Sequence, residues 1–183
     1  MCGIAGIIGT SHDVTRERLH ALASSLAHRG PDDEGITIVP TARTSDVSVG
    51  FIHRRLAIID LSPGGHQPMV DPVTGNWITF NGEIYNYRTL REDLQRRGHV
   101  FSSGSDTEVI LKAYAEYGPH CLDHLRGMFA FALWDAGAQR LFAAVDRFGI
   151  KPLYFAHRER RMFLFASEIR ALLGTGLVPR AID

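Results

Sequence analysis

The sequence is poor in cysteine, with only Cys2 and Cys121. Two thiols cannot build the disulfide framework of a small secreted fold, and they fit a reducing, cytoplasmic setting. An excess of either charge is also missing: 20 basic side chains balance 20 acidic ones, which removes the broad basic face expected of a nucleic-acid binder or of a protein held on an anionic membrane. No apolar run approaches the ~20 residues that span a bilayer. Met1 is not followed by the basic region and long apolar core of a secretory signal. What is present is 45% hydrophobic side chains over 183 residues, enough for a packed core and fitting one domain, residues 1–183.

The order of residues predicts an α+β chain. MCGIAGIIG at the start reads as a buried strand ending in a glycine turn. Leu19, Leu22 and Leu26 recur at helical spacing, and His28-Arg29-Gly30-Pro31 stops that helix. Residues 36–39 read as one strand and 47–59 as a longer one. Residues 77–80 read as a strand running into Asn81-Gly82, a strong turn dipeptide. Leu90 and Leu94 mark a short helix closed by Gly98, and a further helix opens after Ser105, with Ser105 and Glu108 at capping-box spacing. Beyond Gly127 the pattern becomes a meander of four strands, 128–134, 141–145, 153–155 and 162–165, before a last helix near 167–174. Strands at both ends with helices between them favour two packed sheets with helices outside.

Cys2 turns this outline into chemistry. A small residue at position two favours removal of the initiator methionine, which leaves a thiol and a free α-amino group on one residue. That amine has an ordinary pKa of about 7.7–8.0, so it can take the thiol proton near neutrality, directly or through a water. The thiolate could then attack an amide carbonyl and form a thioester. Taken alone, Cys2 reads first as a small apolar residue in a buried strand. Asn81-Gly82 offers a side-chain amide and a backbone N–H for a developing oxyanion, or simply a hairpin turn. Arg55 alternates with Arg54 along its strand and can grip an α-carboxylate, while Glu83 and Asp106 can accept from an α-ammonium. Each carboxylate also has a plain structural reading, Glu83 as a solvated charge and Asp106 as a helix-start residue.

As an ordered set these residues resemble the class II glutamine amidotransferase domains, and among them the N-terminal glutaminase domain of glutamine-hydrolysing asparagine synthetases. The matching segments are MCGIAGI, HRGPDDEG, HRRLAIIDLSPGGHQPM, FNGEIYNY, SGSDTEVIL, GMFAFALWD, DRFGIKPLYF and FASEIRALL, collinear over essentially the whole chain. The resemblance implies the four-layer αββα sandwich of N-terminal-nucleophile hydrolases, with two mainly antiparallel sheets flanked by helices. It implies Cys2 as nucleophile with its own amine as base, and Asn81 and Gly82 as the oxyanion hole. Arg55 would hold the glutamine carboxylate, Asp106 and Glu83 its ammonium, and the backbone around Leu56, Ile58 and Ile59 would line the pocket. The implied reaction is hydrolysis of L-glutamine to glutamate and ammonia, the ammonia passing to a separate C-terminal synthetase domain, absent from this chain, that activates aspartate with ATP. No cofactor or metal is expected here; ATP and magnesium would belong to that other domain. The implied partners are L-glutamine and the synthetase domain, not nucleic acid or membrane, and the resemblance leaves room for a homodimer of the full-length protein.

Two features stand apart from this set. The 102–107 segment SSGSDT superficially resembles a pyrophosphate loop but lacks its second adjacent glycine, and it sits where the family binds glutamine. His120-Cys121-x-x-His124 carries metal-like residues with no further ligand cluster near them in sequence. Two other readings remain open: a non-catalytic binding module that keeps the fold, and an amidotransferase domain serving a different carboxylate acceptor.

Overall fold

In the computed structural model, which describes residues 1–42, 46–158 and 162–180, the elements in chain order are β1 (Gly3–Gly9), α1 (Arg16–Ser25), β2 (Asp33–Val39), β3 (Ser48–Arg55), β4 (Met69–Val70), β5 (Trp77–Ile84), α2 (Tyr87–Arg96), α3 (Asp106–Tyr117), β6 (Gly127–Asp135), β7 (Arg140–Val145), β8 (Tyr154–Arg158), β9 (Met162–Ala166) and α4 (Ile169–Gly174). They form two units, residues 1–56 with 152–183, and residues 57–151.

The first unit holds a five-stranded antiparallel sheet in the order β2-β3-β1-β9-β8. Alternation along the strands sends Ala5, Ile7, Ile52, Leu164 and Ala166 to the face where Leu19, Leu22 and Leu26 of the α1 segment and Leu172 of α4 complete the core. The opposite face carries Phe51 and Phe165 edge to face, ring centroids 5.7 Å apart, both fully buried. Gly6 lies between them in register, and a Cβ there would meet the Phe165 ring at 2.6 Å, so the strand that follows Cys2 is free of side-chain bulk at that point.

The second unit holds a four-stranded antiparallel sheet, β4-β5-β6-β7. Ile78, Phe80 and Ile84 of β5 join Phe129, Phe131 and Leu133 of β6 in one core with Leu90 and Leu94 of α2 and Val109, Ile110 and Ala113 of α3. The other face of this sheet bears small or polar side chains, Thr79, Asn81, Ala130 and Ala132, all buried. Both sheets being antiparallel and helix-flanked, the fold class is α+β, as the residue pattern predicts.

Four local expectations are corrected. Asn81-Gly82 is not a turn: β5 runs through it, with Asn81 opposite Ala130 and Gly82 opposite Phe129. An eight-residue ladder with β6 outweighs the local turn preference. The glycine is needed for close approach, since a Cβ at Gly82 would stand 2.3 Å from the Met128 carbonyl oxygen. The strand expected over 47–59 stops at Arg55, because its neighbours β1 and β2 begin opposite Arg54 and Arg55 and offer no ladder beyond. The expected four-strand meander is divided: β6 and β7 belong to one sheet, β8 and β9 to the other, where β9 pairs with β1. The capping box also fails. Ser105 caps α3 by accepting from the Thr107 N–H, but the buried Glu108 turns to the preceding loop and accepts from the N–H and hydroxyl groups of Ser102 and Ser103.

Candidate active site

In the first unit β1 delivers Cys2 to the end of the sheet. Its sulfur lies against the Leu56 backbone, 3.6 Å from the carbonyl oxygen and 3.4 Å from the Leu56 nitrogen, which donates to it. The residue's own carbonyl oxygen accepts from Arg29 Nε at 2.9 Å. One residue pair further along, Ser167 clamps Ile4 from both sides: its N–H donates to the Ile4 carbonyl at 2.8 Å, and its hydroxyl accepts from the Ile4 N–H at 3.0 Å. Arg55 is buried on the face of β3 opposite Arg54. Arg54 turns instead to the Gly30 carbonyl and the Glu34 carboxylate. The structure therefore groups Cys2, Arg55 and Leu56 at one end of this sheet.

In the second unit β5 carries Asn81, Gly82 and Glu83 in succession, and Asp106 opens α3 beside the end of the same strand, its carboxylate accepting from the Ile84 N–H at 3.0 Å. The Asn81 side chain is 1% exposed, and its Nδ2 has no hydrogen-bond acceptor among the described residues. A buried amide donor left this way costs roughly 1–3 kcal/mol, so it needs an acceptor from elsewhere. Asp106 has the complementary deficit. Burial raises its carboxyl to about 6, against the lowering effect of the backbone N–H groups of Ile84, Asp106 and Thr107, with the Glu83 charge pushing the same way as burial. A positive group placed there would relieve the penalty. Ile59 lines a cavity of about 500 Å³ together with Asp60, Arg91, Ser102, Ser103 and Gly104. The Ile58 side chain is 70% exposed, so a pocket at that residue would use its backbone.

Several residues that tie these segments together escaped the sequence reading. Arg29 sits in the HRGPD block and Glu168 in FASE, and Arg29 Nη1 meets Glu168 Oε1 at 3.0 Å. Asp60 accepts from the Gly104 N–H, so with Glu108 it secures the turn that leads into Asp106. Asp146 accepts from the N–H groups of Phe129, Phe148, Ile150 and Lys151, and these hydrogen bonds outweigh burial and keep its carboxyl below the ordinary range. That pins β6 at Phe129, the residue opposite Gly82. The signal available in the sequence was an Asp preceding a turn-rich RFGIKP segment, whose backbone donors need an acceptor.

The metal-like trio is dispersed. Cys121 is buried, and burial pushes its thiol up to about 12; the His124 ring stacks on Tyr117 with centroids 4.0 Å apart, and His120 is exposed beside Asp123. Among the described residues no group of three or more His, Cys, Asp and Glu side chains is disposed to hold a metal ion. No helix among them is long and apolar enough to cross a membrane.

A family model described as a glutamine amidotransferase domain matches residues 1–183. Among curated relatives, the chain is 41% identical to the asparagine synthetase [glutamine-hydrolyzing] 3 of Bacillus subtilis, over 100% of this chain and 29% of the relative. It is 40% identical to asparagine synthetase B [glutamine-hydrolyzing] of Escherichia coli, over 94% of this chain and 30% of the relative. The chain thus spans under a third of the length of these two relatives. Among solved structures it resembles a glutamine phosphoribosylpyrophosphate amidotransferase from B. subtilis, with a TM-score of 0.72 at 23% identity, over 96% of this chain and 44% of the other. That likeness extends the α+β fold assignment across nearly the whole chain.

Proposed function

The chain belongs to the glutamine amidotransferase domain family, and from that premise we propose that it is the glutaminase part of an asparagine-synthetase-like enzyme. It hydrolyses L-glutamine to glutamate and ammonia. Removal of the exposed Met1 leaves the Cys2 α-amine to take the thiol proton, and the thiolate attacks the side-chain amide carbon of glutamine. The oxyanion that forms is stabilised by Asn81 Nδ2 and the Gly82 N–H. The intermediate collapses by breaking the C–N bond; the departing amine takes the proton held on the Cys2 ammonium and leaves as ammonia. Water, deprotonated by the same amine, then attacks the thioester, releasing glutamate and restoring the thiol. Arg55 receives the α-carboxylate, Asp106 and Glu83 the α-ammonium, and the backbone of Leu56, Ile58 and Ile59 borders the substrate. No metal or cofactor is assigned to these steps. The ammonia goes to a synthetase partner domain that uses ATP and magnesium, with aspartate as its acceptor, in the cytoplasm.

The observation that supports this reading most is the buried Asn81 amide donor with no acceptor of its own among the described residues. A substrate oxyanion supplies that acceptor. The test is ammonia release from L-glutamine, with covalent capture by a diazo-ketone glutamine analogue located by peptide mass spectrometry. Wild-type protein, its intact mass showing loss of Met1, should turn over and be labelled at Cys2. The Cys2→Ala protein should do neither. Wild-type ammonia release by Cys2→Ala would remove the nucleophile assignment.

A further inference from the structure

Outside the residues of the proposed reaction, one cluster of polar side chains terminates on Cys2. Glu168, at the N-terminal boundary of α4, meets three side chains: Arg29 Nη1 at 3.0 Å and His28 Nε2 at 2.8 Å on one oxygen, and Arg170 Nε at 2.7 Å on the other. Burial works against its charge, but the hydrogen bonds from Arg29 and His28 outweigh it and hold the carboxyl below its usual range. Arg29 is the buried member, its side chain 9% exposed. One arm of its planar fork, Nη1, is taken by Glu168, while Nε reaches the Cys2 carbonyl. Gly3 makes the approach feasible, since a Cβ there would lie 2.9 Å from Leu26 Cβ and 3.4 Å from Arg29 Cδ. The neighbouring Ser167 ties down Ile4. The β9–α4 junction therefore grips the chain on both sides of Gly3, through its own backbone at Ile4 and through Arg29 at Cys2.

We propose that Glu168 is a positioning residue for the nucleophile: it fixes the Arg29 guanidinium against the Cys2 carbonyl and so sets the orientation of the Cys2 thiol and amine. A buried guanidinium needs a compensating charge, and among the described residues Glu168 is its ion-pair partner. A rigid fork shared between carboxylate and carbonyl transmits the placement of one to the other. Misplacement of a reacting group by about 1 Å can cost up to ~100-fold in rate. Glu168 touches neither substrate nor sulfur in this account and acts through Arg29. The proposal rests on the glutaminase reading for its effect on rate.

The decisive variant is Glu168→Gln, which keeps the shape and removes the charge. Expected are a kcat for glutamine lowered about tenfold or more, KM within about twofold of wild type, and slower alkylation of Cys2 by iodoacetamide at neutral pH, followed by peptide mass spectrometry so that Cys121 does not interfere. The matched control is Glu116→Gln, which removes a carboxylate shared by Arg97 and His99 in the other unit and should leave all three values at wild type. A double variant, Arg29→Gln with Glu168→Gln, avoids a stranded buried charge. Acting through Arg29, Glu168 should add nothing further, so the double variant matches Arg29→Gln alone. Wild-type kcat and wild-type Cys2 alkylation in Glu168→Gln, a change confined to KM or to melting temperature, or additive effects in the double variant would each overturn the proposal. If wild-type protein releases no ammonia from glutamine, the glutaminase reading fails on its own, and the alkylation rates still decide the role of Glu168.

Discussion

Around Cys2 the backbone finds its partners inside the protein: the carbonyl of Cys2 takes Arg29, and Ile4 is held at both its N–H and its carbonyl by Ser167. Around Asn81 the opposite holds, with a buried amide donor lacking an acceptor among the described residues and a buried Asp106 carboxyl pushed up to about 6. Both regions are polar, yet around Cys2 the backbone groups are satisfied and one arm of Arg29, Nη2, stays open among the described residues, whereas around Asn81 an amide donor and a carboxyl both leave capacity unspent. A nucleophile has to be held before substrate arrives, whereas a binding surface gains affinity and rate only from groups whose needs the substrate meets.

That contrast predicts which parameter each region controls. The largest effect should come from Asn81→Ala, which removes the open donor. We expect kcat to fall about 10²–10³-fold with KM little changed, since the donor acts on charge that develops during reaction. Steady-state ammonia release decides it, and an effect on KM alone would make Asn81 a ground-state contact instead. Next comes Asp106→Asn, expected to raise KM for glutamine about 10- to 100-fold by removing the charge that meets the ammonium. The same group predicts a pH dependence. Because its carboxyl titrates near 6 in the free protein, kcat/KM should fall as pH drops through about 6, and in Asp106→Asn that limb should disappear. An unchanged acid limb in the variant would assign it to another group.

The two regions also differed in how much the sequence disclosed. Residue types at the site were readable, because Cys2 beside a terminal amine and Asn-Gly beside acidic residues have few chemical uses in common. Their backbone settings were less so. Asn81-Gly82 has the local signature of a turn, and only pairing with a strand some fifty residues later makes it a mid-strand pair with Gly82 admitting the Met128 carbonyl. The bracing residues were hidden for a similar reason. Glu168 lies 139 residues from Arg29 and Ser167 lies 163 from Ile4, separations over which no local periodicity carries information. The division of the expected meander between two sheets has the same origin, since β9 is drawn to β1, the first strand of the chain.

The smallest effects should appear in stability, and here the two regions should move in opposite directions. Ser167→Ala strips the acceptor from the buried Ile4 N–H and should destabilise the protein by about 1–3 kcal/mol, lowering Tm by roughly 2–4 °C per kcal/mol for a chain of this size. Asp106→Asn should raise the Tm of ligand-free protein at pH 7.5. An Asp titrates at about 3.9 when unfolded and at about 6 here. A raised folded pKa means that the fold binds the proton more tightly than the unfolded chain does. Its contribution is therefore fully present below about pH 4 and lost as pH rises through about 6, leaving a penalty of the order of 2–3 kcal/mol above that. Asparagine escapes the penalty and can still accept from the Ile84 N–H, so its advantage should shrink steadily between pH 6 and 4. Calorimetry of both variants across that range separates the cases. A Tm loss for Asp106→Asn at pH 7.5 would mean that this carboxylate braces the fold as Ser167 does, and the contrast between the two regions would end there.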